Sequence, residues 1–423
     1  MARTGDRNFA VASDGVPIDI DRLRADLDTL ATFGADDAGG VTRSSYSAAD
    51  RAARDWLAGR CAASGISYRE DGIGNVFMRL DAPPGAAVWT GSHLDSVPNG
   101  GRLDGALGVL AAVECLRVLR EGGARLTRPV VAVAFADEEG AYRGYLGSKA
   151  LVRDYTADEL AGITDLGGRP LVDALAASGL DPAAATRTAV EPADIHAFVE
   201  LHIEQGAVLD TEGVDIGVVT DVVGVGRGTF TFHGRADHAG TTPMHLRRDA
   251  VRGASDFIAG AYEIPADVGT GAAVLTCGDV RVSPGAYGIV PERATALVDF
   301  RDADRSAVER IERAAVRRAE EAAAARDLDV DYARSSLTDP LPLDAGIQAL
   351  IAEVAGELGL STRRMPSGAG HDAQIIGTIA RAGMIFVPSR EGRSHSPREH
   401  TAWRDIEHGA NVLLGVVERL ATE

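Results

Sequence analysis

Ten histidines are spread over the 423 residues, and several stand beside carboxylates where an apolar run gives way to polar residues. His93 lies in Trp89-Thr-Gly-Ser-His-Leu-Asp-Ser96, with Asp95 two residues on. A histidine that binds a metal through one ring nitrogen needs an acceptor for the other, and Asp95 is placed to be that acceptor. Asp104 follows in Gly100-Gly-Arg-Leu-Asp-Gly-Ala106, among glycines that permit close backbone approach. Taken alone, it reads equally well as a helix N-cap. Phe135-Ala-Asp-Glu-Glu-Gly140 sets three acids at the end of an apolar strand, a costly arrangement unless something positive compensates. That context turns Glu138 and Glu139 from a solvated acidic turn into a candidate general base and metal ligand. His202 and Glu204 have the two-residue spacing that puts both on one side of a strand. His395 occurs in Gly392-Arg-Ser-His-Ser-Pro-Arg-Glu399, close to Glu399. Together these stretches supply histidine and carboxylate ligands without cysteine, the donor set of a hydrolytic zinc or manganese site. Two ions ~3.5–4 Å apart would require a bridging carboxylate.

Such residues need elements to place them. Ala52–Ser64 and Leu103–Leu119 have the three- and four-residue apolar spacing of helices. Asn75–Leu80, Ala87–Thr90, the Val-rich Pro129–Ala136 and Ile195–Ile203 read as strands. This alternation predicts an α/β domain with a mostly parallel sheet flanked by helices. In open α/β sheets, ligands bind outside the carboxyl ends of the strands, where these motifs fall. The pattern changes after about Val214. Thr229–His233, Ala250–Tyr262, Ala272–Val282, Ala294–Phe300, Arg305–Ala325 and Asp329–Ala333 follow the ferredoxin-like order β-α-β-β-α-β. A helix over Leu343–Leu358, a strand over Met384–Val387 and a helix over Asp405–Leu420 then resume the first pattern. The expected plan is a catalytic domain (1–213 and 333–423) interrupted by a smaller one (214–332).

Composition narrows the classes. A net charge of −19 argues against a nucleic-acid partner, which needs a basic face. No run of ~18 apolar residues suggests a membrane span, and the first residues, Met-Ala-Arg-Thr-Gly-Asp-Arg-Asn, lack the apolar core of a leader. Three cysteines, Cys61, Cys115 and Cys277, make no disulfide framework and suit a reducing, cytoplasmic setting. Cys115 sits in an apolar helical run and reads as core. His196, His233 and His408 fall in none of these motifs and read as structural or exposed, and Gly224-Val-Gly-Arg-Gly lacks the helix a nucleotide loop would need.

The segments Gly91–Val109, Glu138–Gly140, Leu201–Gly206, His238–Ala250, Ser367–Ala373 and Ser394–Glu399 resemble the group of N-carbamoyl-L-amino-acid hydrolases, allantoate amidohydrolases and β-ureidopropionases. That group belongs to the metallopeptidase superfamily that includes carboxypeptidase G, and the resemblance runs from about Gly39 to the C-terminus. It implies the same split plan, with the inserted domain acting as a lid and as the homodimer contact. It also implies two divalent ions, zinc first and manganese, cobalt or nickel as alternatives. His93 and His395 would bind opposite ions, each joined by Glu139 or His202, with Asp104 bridging. Glu138 would be the general base toward the metal-bridging water, with Asp95 supporting the catalytic set. Gln205, Gly370 and His371 would line the substrate pocket. His238, in the lid, would stabilise the oxyanion, and Arg301 would clamp a substrate carboxylate, for which a guanidinium fork is well shaped.

Two stretches depart from the group. Pro284-Gly-Ala-Tyr-Gly-Ile-Val-Pro291 carries Gly285 and Gly288 where the group has asparagines, with Tyr287 placed to fill the space. After Glu139 the chain reads Gly-Ala-Tyr-Arg-Gly-Tyr, so Tyr142, Arg143 and Tyr145 stand to reshape the pocket. Both touch substrate recognition and neither touches the ligand set. The leading expectation is hydrolysis of an N-carbamoyl amino acid or related ureido acid. The alternatives are an amidase or dipeptidase-like activity at the same centre, and a metal-free binding protein, against which the complete ligand set speaks.

Overall fold

The computed structural model describes residues 16–423. The expectation of a chain without a leader falls on residues outside that range. The chain forms two compact units. One comprises the segments up to Thr220, Leu343–Met365 and Gly370–Glu423, and the other Asp221–Pro342 with Pro366–Ala369.

The first unit is built on a mixed sheet whose centre is parallel. Val130–Phe135, Ala87–His93, Ile195–Ile203 and Ala382–Val387 lie side by side in that order and run the same way. Val130–Phe135, all Val, Ala and Phe, is buried at every position, as expected for a strand covered on both faces. Parallel strands end at one edge. The register sets His93 opposite Phe135 and His202 opposite Phe386, so four polar segments leave the sheet together. Antiparallel strands extend the sheet on each side: Val76–Leu80 and Ser67–Glu70 at one, Ile216–Val222 at the other. The sequence reading missed Ser67–Glu70 and Ile216–Val222.

Helix Ala106–Glu121 is buried from Ala106 to Leu119 and packs on the parallel strands. Helix Trp403–Thr422 packs on it, as does Ile20–Leu30, which turns Leu23, Leu27 and Leu30 inward. Cys115 is fully buried in this core, and none of the three cysteines is in a disulfide. Among the described residues no helix is long and apolar enough to cross a membrane.

The second unit is an antiparallel sheet with two long helices, Ala250–Ala261 and Arg305–Ala324. Its strands, Gly224–His233, Val274–Ser283, Arg293–Asp302 and Asp329–Thr338, stand in the order fourth, first, third, second. With the helices that is the ferredoxin-like arrangement. Phe230, Phe232, Phe257 and Phe300 fill its core with Val308, Ile311 and Ala315. The glycine run at Gly224 is part of a strand, where side chains at Gly226 and Gly228 would overlap the rings of Phe300 and Tyr332.

Candidate metal centre

His93 closes its strand and is 2 % exposed. Its Nδ1 lies 2.9 Å from the backbone carbonyl of Asp95, which can only accept, so Nδ1 carries a proton and Nε2 is the atom turned to the site. The carboxylate of Asp95, expected to set this tautomer, stands farther off at 3.7 Å. It accepts the backbone N–H groups of Glu138 (3.3 Å) and Glu139 (3.1 Å) instead, and so fixes the acidic turn.

His202 repeats the arrangement. Its Nδ1 donates to the Ile203 carbonyl at 2.8 Å, and its Nε2 faces Asp104 Oδ1 at 3.1 Å. Asp104 does not cap the following helix, whose N-cap is Gly105 without a side-chain bond. Its Oδ2 meets His395 Nε2 at 3.2 Å and accepts from Gln205 Nε2 (2.9 Å) and the Ser394 hydroxyl (3.0 Å). Gly105, at φ 64°, passes so close to His93 that any Cβ would overlap the imidazole. Only glycine admits both that conformation and that contact.

The donors form two groups that share one carboxylate. His93, Asp104 and His202 offer atoms all within 4.8 Å of one another, and so do Asp104, Glu139 and His395. Glu138 lies 3.8 Å from His93 Nε2 and joins a third group with Glu139. Burial, against the pull of His93, pushes Glu138 well above the usual carboxylate range, with Asp372, Glu139 and Asp95 adding to the rise. Burial also raises Glu139, to about 7. Asp104 goes the other way: although burial opposes its charge, contacts from His202, His395 and His93 hold it well below the usual range. These residues fit divalent ions on their chemistry. Two imidazoles whose Nδ1 atoms are bonded to carbonyls direct their Nε2 atoms at one buried carboxylate, and nitrogen and oxygen donors converging in this way are the donor set of a divalent ion.

A match to the model of Peptidase family M20/M25/M40 covers residues 89–419, which span every one of these donors. The chain belongs to that family. It is 38 % identical over 405 residues to an N-carbamoyl-L-amino acid amidohydrolase of Geobacillus stearothermophilus, covering 95 % of this chain and 98 % of the relative. It is also 38 % identical over 399 residues to the allantoate amidohydrolase of Escherichia coli K12, covering 93 % and 96 %. A crystal structure of a hydantoinase/carbamoylase family amidase from Burkholderia multivorans superposes with a TM-score of 0.90 at 34 % identity, covering 96 % and 99 %. This M20 chain is a hydrolase acting on amides.

The remaining expected residues divide between the units. His371, buried, packs edge-on against His202 with ring centroids 4.6 Å apart. Burial and the neighbouring His202 hold its pKa well below the usual histidine value. Gly370 lies against the Tyr145 hydroxyl, which a Cβ would overlap. Tyr145 thus reaches the Gly370–His371 segment from the altered loop. Tyr142 instead packs on Tyr46, and Arg143 lies over Tyr155. Gln205, expected in the substrate pocket, directs its amide to Asp104 and Ser394.

His238 and Arg301 belong to the second unit. His238 is exposed, and its Nδ1 accepts the backbone N–H groups of Gly240 (3.0 Å) and Thr241 (3.2 Å), which puts the proton on Nε2. Its segment is tied by main-chain bonds to the loop that departs from the group: Ala239 N–H donates to Gly288 O, and Val290 N–H to Asp237 O. Tyr287, expected to fill space there, is fully exposed. Arg301 is held by Asp299 through Nε (2.7 Å) and by the Gly368 carbonyl through a terminal nitrogen (2.8 Å).

Several contributors were not legible. Glu204 faces away and accepts from Val208 and Leu209. Glu200, two residues before His202, is the buried acid here, accepting from Ser92 Oγ and Ala373 N–H. Its two-residue spacing from His202 was the available signal. His408 and His233 do have carboxylates, Asp215 at 3.4 Å and Asp331 at 2.9 Å, supplied from distant sequence.

Proposed function

We propose that this enzyme hydrolyses the C–N bond of an N-carbamoyl amino acid or related ureido acid, releasing the amine, carbon dioxide and ammonia. The observation that carries the reading is the pair of donor groups joined by Asp104 with Glu138 beside them. Relatives at 38 % identity, named for N-carbamoyl amino acids and allantoate, support the ureido substrate.

His93, Asp104 and His202 would hold one divalent ion and Asp104, Glu139 and His395 the other. Zn2+ is the first candidate, with Mn2+, Co2+ and Ni2+ as alternatives. Such ions supply Lewis acidity that polarises a carbonyl and acidifies water. Glu138 takes the proton from the attacking water and returns it to the leaving nitrogen. Its raised pKa suits both halves of that task, because a more basic carboxylate is a better acceptor and its acid still a competent donor. Asp95 keeps Glu138 and Glu139 in their separate roles by binding both of their N–H groups. His371, Gly370 and Gln205 would contact the substrate beside Tyr145. His238, as an Nε2 donor, stabilises the developing oxyanion. Arg301 exchanges part of its bond to Asp299 for the substrate carboxylate.

The second unit acts as lid and as homodimer contact. Its edge strand Val274–Ser283 exposes Val274, Val280 and Val282, an edge suited to pairing with a second copy. The free cysteines support a cytoplasmic setting.

The test is a screen of N-carbamoyl amino acids, allantoate, β-ureidopropionate and simple amides with protein stripped of metal and reloaded with Zn2+ or Mn2+. Ureido acids should be turned over and the stripped protein should be inactive. Cleavage of simple amides alone would replace this reading with an amidase at the same centre. No turnover with any metal would end it.

A further inference from the structure

Resting on the two-ion reading above, we propose that Glu399 is a positioning residue that locks Asp104 and His395 into one ligand group, and that it selectively sustains the ion held by Asp104, Glu139 and His395. Asp104 and His395 come from opposite ends of the chain and follow different strands. Nothing in their local sequence fixes the distance between them.

Glu399 supplies that link. Its Oε1 accepts the N–H of Leu103 at 2.7 Å and the N–H of Asp104 itself at 3.2 Å. Its Oε2 lies 3.3 Å from the Ser394 hydroxyl, which also reaches Asp104 Oδ2 at 3.0 Å. Glu399 thus grips Asp104 by its main chain, and Ser394, the residue preceding His395, bridges it to the Asp104 carboxylate. The backbone at Gly101 is shaped around this carboxylate, since a Cβ there would overlap it. Glu399 is 8 % exposed, so its bonds to the Asp104 loop have little competition from water. His93 and His202 have no such need. They are strand residues, oriented by carbonyls one or two positions away. His395 is the opposite case: its side chain is half exposed and its backbone sits at φ 53°, so it depends on remote support.

The experiment titrates metal-free protein with Zn2+ against a chelating dye and counts equivalents and affinities, alongside thermal melting. The parent should take up two equivalents. In Glu399→Ala one equivalent should weaken about 10–100-fold, the usual effect of removing a group that orients a ligand, while the other stays within about threefold. Gly101→Ala, which crowds the carboxylate without deleting it, should weaken the same equivalent. Glu399→Gln keeps an acceptor for the two N–H groups and should restore most of the lost affinity. This rescue separates positioning from general loosening of the fold and holds even if Glu399→Ala folds poorly. Parental affinity for both equivalents in Glu399→Ala and Gly101→Ala would overturn the proposal while leaving the binuclear reading intact. Equal weakening of both equivalents would also overturn it. A parent that binds no Zn2+ would overturn both.

Discussion

The two units place chemically active side chains in contrasting ways. In the first, His93 and His202 are at most 2 % exposed, and each is oriented by a carbonyl within two residues of it. In the second, His238 is exposed and Arg301 is partly so, each braced by a few local bonds. A buried centre on rigid strand ends is organised before any ligand arrives. Groups on an exposed surface can be recruited and released with substrate. The comparison implies that damage to the first unit should remove chemistry or metal, and damage to the second should leave metal binding whole.

The strongest break should come at Glu138. Glu138→Gln should lower kcat by about 10²–10⁴-fold while Zn2+ stoichiometry stays at the parental value. A variant with near-parental kcat would show that the proton acceptor lies elsewhere. Next is His238→Ala, expected to lower kcat by ~10²–10³-fold as an oxyanion donor is lost. Because His238 belongs to the second unit, metal content and melting temperature should not move. Loss of metal on this substitution would erase the division of labour. Arg301→Ala should mainly raise KM for carboxylate-bearing substrates, by ~10–100-fold, since a charged hydrogen bond contributes about 1.5–3 kcal/mol. An unchanged KM would place the clamp on another residue.

The centre was legible in sequence where one motif carried both the ligand and its strand end. His93, Glu138, Glu139 and His202 each lie at or just past the end of a largely apolar strand, and periodicity located the parallel strands and the long helices Ala106–Glu121, Arg305–Ala324 and Trp403–Thr422. What escaped was whatever depends on remote partners. Spacing put Glu399 near His395, but its tie to Leu103, 296 positions earlier, exists only in the fold. Glu200 meets Ser92 across 108 positions. The antiparallel margins were missed for another reason. Ser67–Glu70 spans four residues of alternating exposed and half-buried character, too short for a period to register. The same limit explains Asp95. Spacing placed its carboxylate near His93 but could not say that its own carbonyl would stand closer.

The contrast between the units also has a pH signature. In the metal-free chain His395 is held up at about 9, chiefly by its hydrogen bond to Asp104, with burial opposing and Glu139 assisting. Below that pH the imidazole is protonated, and a ligand must be neutral to bind. Metal uptake near pH 7.5 should therefore displace a proton from His395, so affinity should rise with pH and level off above about 9. The slope should be about tenfold per pH unit for each proton displaced. Glu139, raised to about 7, contributes a second proton below that value, which steepens the fall on the acid side. Calorimetric titration with Zn2+ in buffers of different ionisation enthalpy reads the proton count directly, and a heat independent of buffer would contradict the assignment. In Arg301→Ala the count should be unchanged, because that side chain bonds within the second unit and faces none of the titrating ligands there. Glu399→Ala should instead lower it, because an Asp104 carboxylate released from its loop bonds supports the His395 proton less well.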